Sequence, residues 1–408
     1  MVDYDLLALG GLYPKGHEEE VLRKTVYGLQ FASNAHLWNI INGLDSVLDR
    51  PVSILNMLPV GSYPKRYRDM YIKEYAFSHA EGARDLNAGY LNITVVKKLS
   101  RMLAVRKHIK RWLKKDDGKK KVLIIYAVVS EYLAAAKMIK KLHHKVHVCL
   151  IVPDLPAFTD VDKSQGVILN KMAEYKTNNA FRKIKYIDSF VLLTESMHDY
   201  FGITKPYIVI EGITDGALRN VHEIESDELK TIVYTGTLAK KFGIMELLNA
   251  FSKLDGEKFR LAICGDGEAR QDILRYAESD DRIRFLGAVS REEALKVQRE
   301  ATLLVNPRRG DEDFTKYSFP SKLIEYMAAA RPVICFKLPG IPAEYDDYLC
   351  YFEGETPDKM AESMKRILNK SRSELDDIGK KNYKFVSENK NVHIQAQKII
   401  DMISKAEG

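Results

Sequence analysis

Two successive series of short apolar runs, each of strand length and separated by segments with helical spacing, constrain this chain most. The first series falls at 6–9, 52–58, 122–129, 146–152, 189–194 and 207–210. The second falls at 231–235, 259–264, 283–286, 301–305, 333–336 and 350–352. Between them, helical patterns occupy stretches such as 131–142, 244–254, 269–279, 291–300 and 321–330. Strands alternating with helices build parallel sheets from βαβ units. Two series therefore predict an α/β chain of two doubly wound, Rossmann-like domains. The junction is expected near 211–226, where EGITDGALRNVHEIES lacks periodicity. The expected boundaries are 1–215 and 216–386, followed by a polar terminal helix at 387–408. No internal repeat of fixed period is present.

A length of 408 residues suits two domains. Hydrophobic residues at 46% and charged residues at 29% exclude a disordered or fibrous chain. Cys149, Cys264, Cys335 and Cys350 show no metal-type spacing, and three lie inside or next to apolar runs. They read as buried, reduced thiols. The first residues, MVDYDLLALGGLYPKG, lack the basic start and apolar stretch of a signal peptide. No window approaches the roughly 18 apolar residues of a spanning helix. A cytoplasmic protein is expected, with peripheral contact to the inner membrane face left open.

Charge is concentrated in one segment. Lys97 to Lys121 carries a dense run of lysine and arginine against only Asp116 and Asp117. Leu99, Met102, Leu103, Ile109, Trp112 and Leu113 fall mostly three or four apart, so 97–115 reads as a basic amphipathic helix. Two readings stay open. The helix is held against anionic lipid with Trp112 at the interface, or its apolar stripe packs on the first domain and its charges are only solvated. No nucleic-acid-binding motif accompanies the run, and its aromatics are not interleaved as a stacking platform needs.

Three strand-to-helix turns in the second half carry candidate chemistry. The first runs from Tyr234 through Gly236, Thr237, Lys240 and Lys241 to Gly243. Glycine lets backbone approach a ligand. N–H groups at the helix start favour an anion, and a lysine adds a point charge. The second is Cys264-Gly265-Asp266-Gly267, which any tight turn at the carboxyl edge of a parallel sheet would also accept. The third runs from Phe314 through Tyr317, Ser318, Pro320, Lys322 and Glu325 to Pro332. Ser318 and Pro320 read as a helix start and Pro332 as its stop. Lys322 and Glu325, three apart, share a helix face. Such a carboxylate can accept two hydroxyl hydrogen bonds, as a ribose offers; the alternative is an ordinary surface ion pair.

The order YTGTLAKKFGI, LAICGDGEAR, RIRFLGAVSREEAL, ATLLVNPR and FPSKLIEYMAAARPVI resembles the donor-binding domain of GT-B retaining glycosyltransferases of family 4, the glycosyl transferases group 1. The blocks span 231–334. The first domain is similar more loosely. Gly10 and Gly11 look like its glycine loop, and Val152-Pro153-Asp154-Leu155-Pro156 lies where these enzymes carry a catalytic-loop motif. The resemblance implies a GT-B fold, with a nucleotide-diphospho-sugar, UDP- or GDP-linked, in the cleft between the domains. The implied catalytic residues are Asp154, Lys241 and Glu325. The implied donor-binding residues are Gly10, Gly11, Gly236, Thr237, Lys240, Lys241, Gly265, Gly267, Tyr317, Ser318, Lys322 and Glu325. Glu325 would hold the ribose, and lysines would neutralise the leaving diphosphate. No cofactor and no metal is implied, and the chain shows no DxD-type pair in this region. The implied acceptor is a glycolipid or surface polysaccharide.

Some positions depart from that family. Tyr317 stands eight residues before Glu325 where the family has a glutamate that contacts the transferred sugar. Thr237 replaces an arginine, and Pro153 a histidine. Asp311-Glu312-Asp313 reads as an acidic loop. His143, His144, His147 and Cys149 read as a helix–strand junction in preference to a metal site, and His17 is a further candidate to face the ligand. Two rival functions remain on the same fold: a nucleotide-sugar 2-epimerase, and a non-catalytic partner subunit.

Overall fold

The computed structural model describes residues 4–26, 31–115, 118–142, 145–155, 181–215, 229–310 and 313–407. The calls on His143, His144, Pro156, Asp311 and Glu312 lie outside the described residues. Two compact units emerge, one of Met1–Ile213 with Val392–Gly408 and one of Thr214–Asn391.

In the first unit the strands are β1 (Tyr4–Gly10), β2 (Ser53–Asn56), β3 (Tyr71–Ile72), β4 (Tyr75–Phe77), β5 (Asp85–Asn87), β6 (Tyr90–Leu91), β7 (Lys120–Tyr126), β8 (His147–Val152), β9 (Ser189–Leu192) and β10 (Tyr207–Val209). The main sheet has the order β10-β9-β8-β7-β1-β2-β5-β4. Every pair is parallel except β4 with β5. β3 and β6 form a separate antiparallel pair. The described helices are α1 (Glu18–Lys24), α2 (Phe31–Val47), α3 (Lys97–Leu113), α4 (Ser130–Leu142) and α5 (Ser196–Phe201). Parallel strands are buried on both faces. Leu6, Ala8, Val122, Ile124 and Ile151 pack with Trp38, Ile41 and Leu44 of α2, and the alternate residues Leu7, Leu9, Leu123, Ile125 and Leu150 are equally buried.

α3 decides between the two sequence readings of Trp112. Trp112 faces inward and is only 8% exposed, beside Val105, His108 and Ile109. The Lys121 ammonium sits 5.1 Å from its ring centroid. Trp112 is therefore core and does not lie at an interface.

The second unit holds β11 (Lys230–Thr235), β12 (Phe259–Cys264), β13 (Ile283–Gly287), β14 (Leu303–Asn306), β15 (Val333–Cys335) and β16 (Cys350–Tyr351) in the order β13-β12-β11-β14-β15-β16, all parallel. Its α-helices are α6 (Ile244–Phe251), α7 (Arg270–Ser279), α8 (Arg291–Arg299), α9 (Lys322–Ala328), α10 (Pro357–Leu368) and α11 (Arg372–Asn389). The terminal helix predicted at 387–408 is narrower. α11 continues to Asn389, and α12 (Val392–Glu407) packs against α2 of the first unit. Gly43 permits this, since a Cβ there would lie 2.3 Å from Val392 O. The four cysteines are free, with Cys149, Cys264 and Cys335 buried and Cys350 partly so.

A charged cluster ties the edge of the first sheet to α2. His79, between β4 and β5, places Nδ1 2.6 Å from Asp85 Oδ2 and Nε2 2.9 Å from Asp45 Oδ2. Asp45 also accepts from Val52 N, and Asp85 from Ile54 N. Burial pulls the imidazole pKa down, but hydrogen bonds to both aspartates and their charges outweigh it and raise it to about 9. A raised pKa contributes stability that is present below the unfolded value and lost as pH rises through the folded one. His79→Gln is expected to be less stable than the parent at neutral pH. The pH-dependent part of the gap, about 3 kcal/mol, should close as pH rises through 9. Urea unfolding of both proteins across that range measures it; a pH-independent gap would mean His79 is neutral in the fold.

Candidate functional site

In an open parallel sheet, ligands bind outside the carboxyl ends of the strands where the strand order reverses. In the second unit that point lies between β11 and β14, the first strand and the fourth. The three candidate turns follow β11, β12 and β14.

The first two turns are built into each other. Gly236 N donates to Cys264 O, Leu238 N to Asp266 O, and Ala269 N to Leu238 O, each at 3.0 Å. Gly265 has φ +146, and a Cβ there would lie 1.8 Å from Gly236 O; Gly267 has φ +156 with Leu238 backbone within 3 Å. The glycines thus permit turn-on-turn contact. Lys240 N is taken as well, by Glu268 Oε1 at 2.7 Å. Thr237 and Ala239 keep N–H groups with no protein acceptor among the described residues.

The two lysines separate. Lys240 Nζ is 2.9 Å from Asp272 Oδ2 on α7. Lys241 Nζ sits 5.5 Å from the Phe242 ring and 5.9 Å from the Phe314 ring. Across the same two rings lies Arg308, just after β14, at 5.4 and 4.6 Å. Held over these faces, Lys241 is positioned without surrendering its charge to a carboxylate among the described residues. The sequence spacing held no signal for Arg308.

The third turn differs locally from the predicted helix start. α9 begins at Lys322, and Tyr317 ends a 3₁₀ turn over Asp313–Tyr317. Ser318 Oγ accepts from Arg308 Nη2 at 2.8 Å and donates to Phe314 O at 3.1 Å, so Ser318 braces the loop and does not cap the helix. Tyr317 is half-buried, with Lys316 over its ring at 5.1 Å.

Glu325 is the best-anchored candidate. Its Oε1 accepts from Lys322 Nζ and from Gln298 Nε2, both at 2.6 Å. Gln298 is fully buried and also reaches Thr235 Oγ1 at 2.8 Å. α8 presents it, starting from a capping box in which Ser290 and Glu293 satisfy each other's backbone. Tyr326, beside Glu325, accepts from Thr235 N at 2.8 Å and donates to Thr235 O at 3.0 Å. Oε2 of Glu325 has no protein partner among the described residues, and the side chain is 26% exposed. A carboxylate with one oxygen anchored and one open can accept hydroxyl groups from a ligand.

The first unit repeats the order reversal between β1 and β7. Gly10 ends β1, with Leu37 and Tyr126 close to where a Cβ would stand, and Gly11 faces Pro59 and Met57 O. Asp154 is exposed just after β8, and its charge adds to the burial that raises the Tyr126 pKa. Tyr126 OH is 3.0 Å from His36 Nδ1, and burial pushes His36 down to about 4. The sequence reading missed His36. His17 stacks on Tyr75 at 4.8 Å, and His147 is buried against Ser189. Among the described residues no group of three or more His, Cys, Asp or Glu could hold a metal ion.

Residues 229–370 match the family described as Glycosyl transferases group 1. The C-terminal unit is a glycosyltransferase domain. A comparison with curated protein sequences gives no match. Solved structures similar to the whole chain include sucrose-phosphate synthase from Thermosynechococcus elongatus, at 13% identity over 99% of this chain and 100% of that one, TM-score 0.66. Another is an α,α-trehalose-phosphate synthase (UDP-forming) from Burkholderia xenovorans in complex with glucose-6-phosphate, at 10% identity over 98% and 100%, TM-score 0.67. A third is a lipopolysaccharide outer core galactosyltransferase in its apo form, at 14% identity over 98% and 99%, TM-score 0.62. The chain has the GT-B fold of two Rossmann-like domains.

The glycosyltransferase domain depends on its interlocked turns. Gly265→Ala is expected to cost roughly 3 kcal/mol or more of unfolding free energy. Gly287→Ala, at φ +69 with nothing within 4 Å, is expected to cost about 1 kcal/mol. Denaturant unfolding of both variants checks the contrast; equal losses would mean that the turns do not depend on the close approach.

Proposed function

We propose that this glycosyltransferase moves a sugar from a UDP- or GDP-linked donor to a glycolipid or polysaccharide acceptor, without a metal ion and with retention at the anomeric carbon. The observation that carries the donor half is Glu325, held through Oε1 by Lys322 and Gln298 with Oε2 open, at the order reversal of the sheet. The neighbours support a sugar-nucleotide reaction, since one is named UDP-forming and another a galactosyltransferase. Retention rests on the family resemblance of 231–334.

In this reading Glu325 accepts the ribose hydroxyls. Thr237 and Gly236 face the phosphates together with Gly265 and Gly267, and Tyr317 and Ser318 stand toward the sugar. As the bond from the anomeric carbon to the diphosphate breaks, its electron pair goes to the diphosphate oxygen. Lys241, with Lys322, stabilises that charge, usually the largest catalytic effect. Lys240, tied to Asp272, positions its turn. The acceptor hydroxyl oxygen bonds to the anomeric carbon and its proton leaves to the departing phosphate or solvent. On the first unit, the family resemblance assigns Gly10 and Gly11 to donor binding and Asp154 to catalysis.

Glu325→Ala is expected to weaken nucleotide binding on the order of a hundred-fold, the loss of two hydrogen bonds to a charged acceptor. The fold should survive, with a stability loss of about 1–3 kcal/mol from the buried Gln298 donor that loses its acceptor. Calorimetric titration with UDP and GDP measures this, and unchanged affinity would sink the ribose assignment. Lys241→Ala should lower kcat about 10²–10³-fold with a smaller change in nucleotide Kd. A loss confined to Kd would place Lys241 in binding alone. Turnover should survive EDTA.

A further inference from the structure

Six of the thirteen large apolar side chains that the described residues expose lie on or next to β3, β6 and α3 of the first unit. Val95 is 89% exposed, and Leu99 and Leu103 are each 55% exposed. Met70, Tyr71 and Leu91 are exposed as well. The elements that carry or adjoin them are joined to one another. Tyr71 pairs with Leu91 across β3 and β6. Asn92 N donates to Met70 O, and Leu91 N donates to Ser100 Oγ of α3 at 2.8 Å. Single exposed apolar residues are ordinary, but a contiguous patch marks an interaction surface.

The outer side of α3 continues the patch in a second chemistry. Leu99, Leu103, Arg106, Lys110 and Lys114 recur every three or four residues, so they form one stripe opposite the buried Val105, His108 and Trp112. The stripe is apolar in its first half and cationic in its second. Lys98, Arg106, Lys110, Lys114 and Lys115 pair with no carboxylate among the described residues. Glu74 is shared by Lys107 at 2.9 Å, His108 at 3.3 Å and Arg111 at 3.9 Å.

We propose that this face docks on an anionic lipid bilayer, with Val95, Leu99 and Leu103 entering the headgroup boundary and the cations of α3 against lipid phosphates. Protein interfaces deplete lysine from their apolar centre. At a bilayer, lysine and arginine lay their stems along the apolar edge and keep their charges in the headgroup layer. In purpose the inference rests on the glycolipid-acceptor reading, because it brings the chain to where such an acceptor lies. The binding itself needs no sugar.

The test is co-sedimentation of the full chain with vesicles of phosphatidylcholine mixed with phosphatidylglycerol, against phosphatidylcholine alone, at low and high salt. Binding is expected to the anionic vesicles and to weaken with salt. The double variant Leu99→Ser, Leu103→Ser should bind ten-fold or more weaker, on the order expected for two leucines kept from lipid. The triple variant Arg106→Ala, Lys110→Ala, Lys114→Ala should lose on the order of a hundred-fold, at about five-fold per cation, with a shallower salt dependence. Both sets are exposed, so melting temperature and nucleotide affinity should match the parent. No binding of the parent at low salt overturns the proposal, as does binding that neither variant changes. So does a parent dimer that the leucine variant dissolves, which would make the face a contact between copies. A protein that pellets with vesicles but binds no nucleotide would sink the transfer reading and leave this one standing; the reverse result would do the opposite.

Discussion

Tyr326 closes its buried hydroxyl on the last peptide of β11, accepting from Thr235 N and donating to Thr235 O. The end of a parallel strand leaves such groups without ladder partners, and burying them unpaired would cost roughly 1–3 kcal/mol each. One side chain answers both. Burial pushes the phenol pKa far up, so the hydroxyl keeps the proton it donates. The contact sets the distance of α9 from β11. It thereby sets where Glu325, one residue earlier and on the exposed side of the same turn, meets Gln298 from α8. Two helices and a strand converge on one carboxylate because the strand's end had to be satisfied.

The charge around that carboxylate follows the same logic. A buried or half-buried acid needs paired donors, and Lys322 and Gln298 supply them to one oxygen. Lys240 is committed to Asp272, which leaves its turn rigid but its charge balanced. Lys241 and Arg308 instead share the Phe242 and Phe314 rings. Aromatic faces hold cations by their quadrupole and leave the net charge intact. The edge between β11 and β14 therefore combines an anchored acid with a lysine, Lys241, that pairs with no carboxylate among the described residues.

The main strands were legible because parallel strands buried on both faces read as continuous apolar runs. All twelve expected runs coincide with strands to within a few residues. β3 to β6 were not legible. They are two or three residues long, lie at an edge or in a separate pair, and include polar sequences such as DLN. At the site, Glu325 and Lys322 could be placed by spacing alone. Gln298 could not, since a glutamine in a polar helix has no signature until the sheet arrives behind it. Ser318 resembled a cap, as serine before proline does, yet Arg308 claims its hydroxyl. The glycines at 265 and 267 were legible as a turn, but the neighbour that requires them sits some thirty residues earlier in the chain at Gly236 and Leu238.

α3 shows why helical spacing alone misassigns a face. Apolar residues at 99, 103, 109, 112 and 113 all fall at intervals of three or four somewhere along the helix, so they read as a single stripe. A helix of 17 residues has room for two. Val105, Ile109 and Trp112 point one way and are buried; Leu99 and Leu103 point the other and are exposed. Trp112 leaves both readings open in the sequence because tryptophan is common both in cores and at lipid interfaces. Only the packing separates the stripes. Once they are separated, the cations at 106, 110 and 114 belong with the leucines and not with the tryptophan. The helix then carries an apolar core face and a second, mixed face whose first half is apolar and second half cationic.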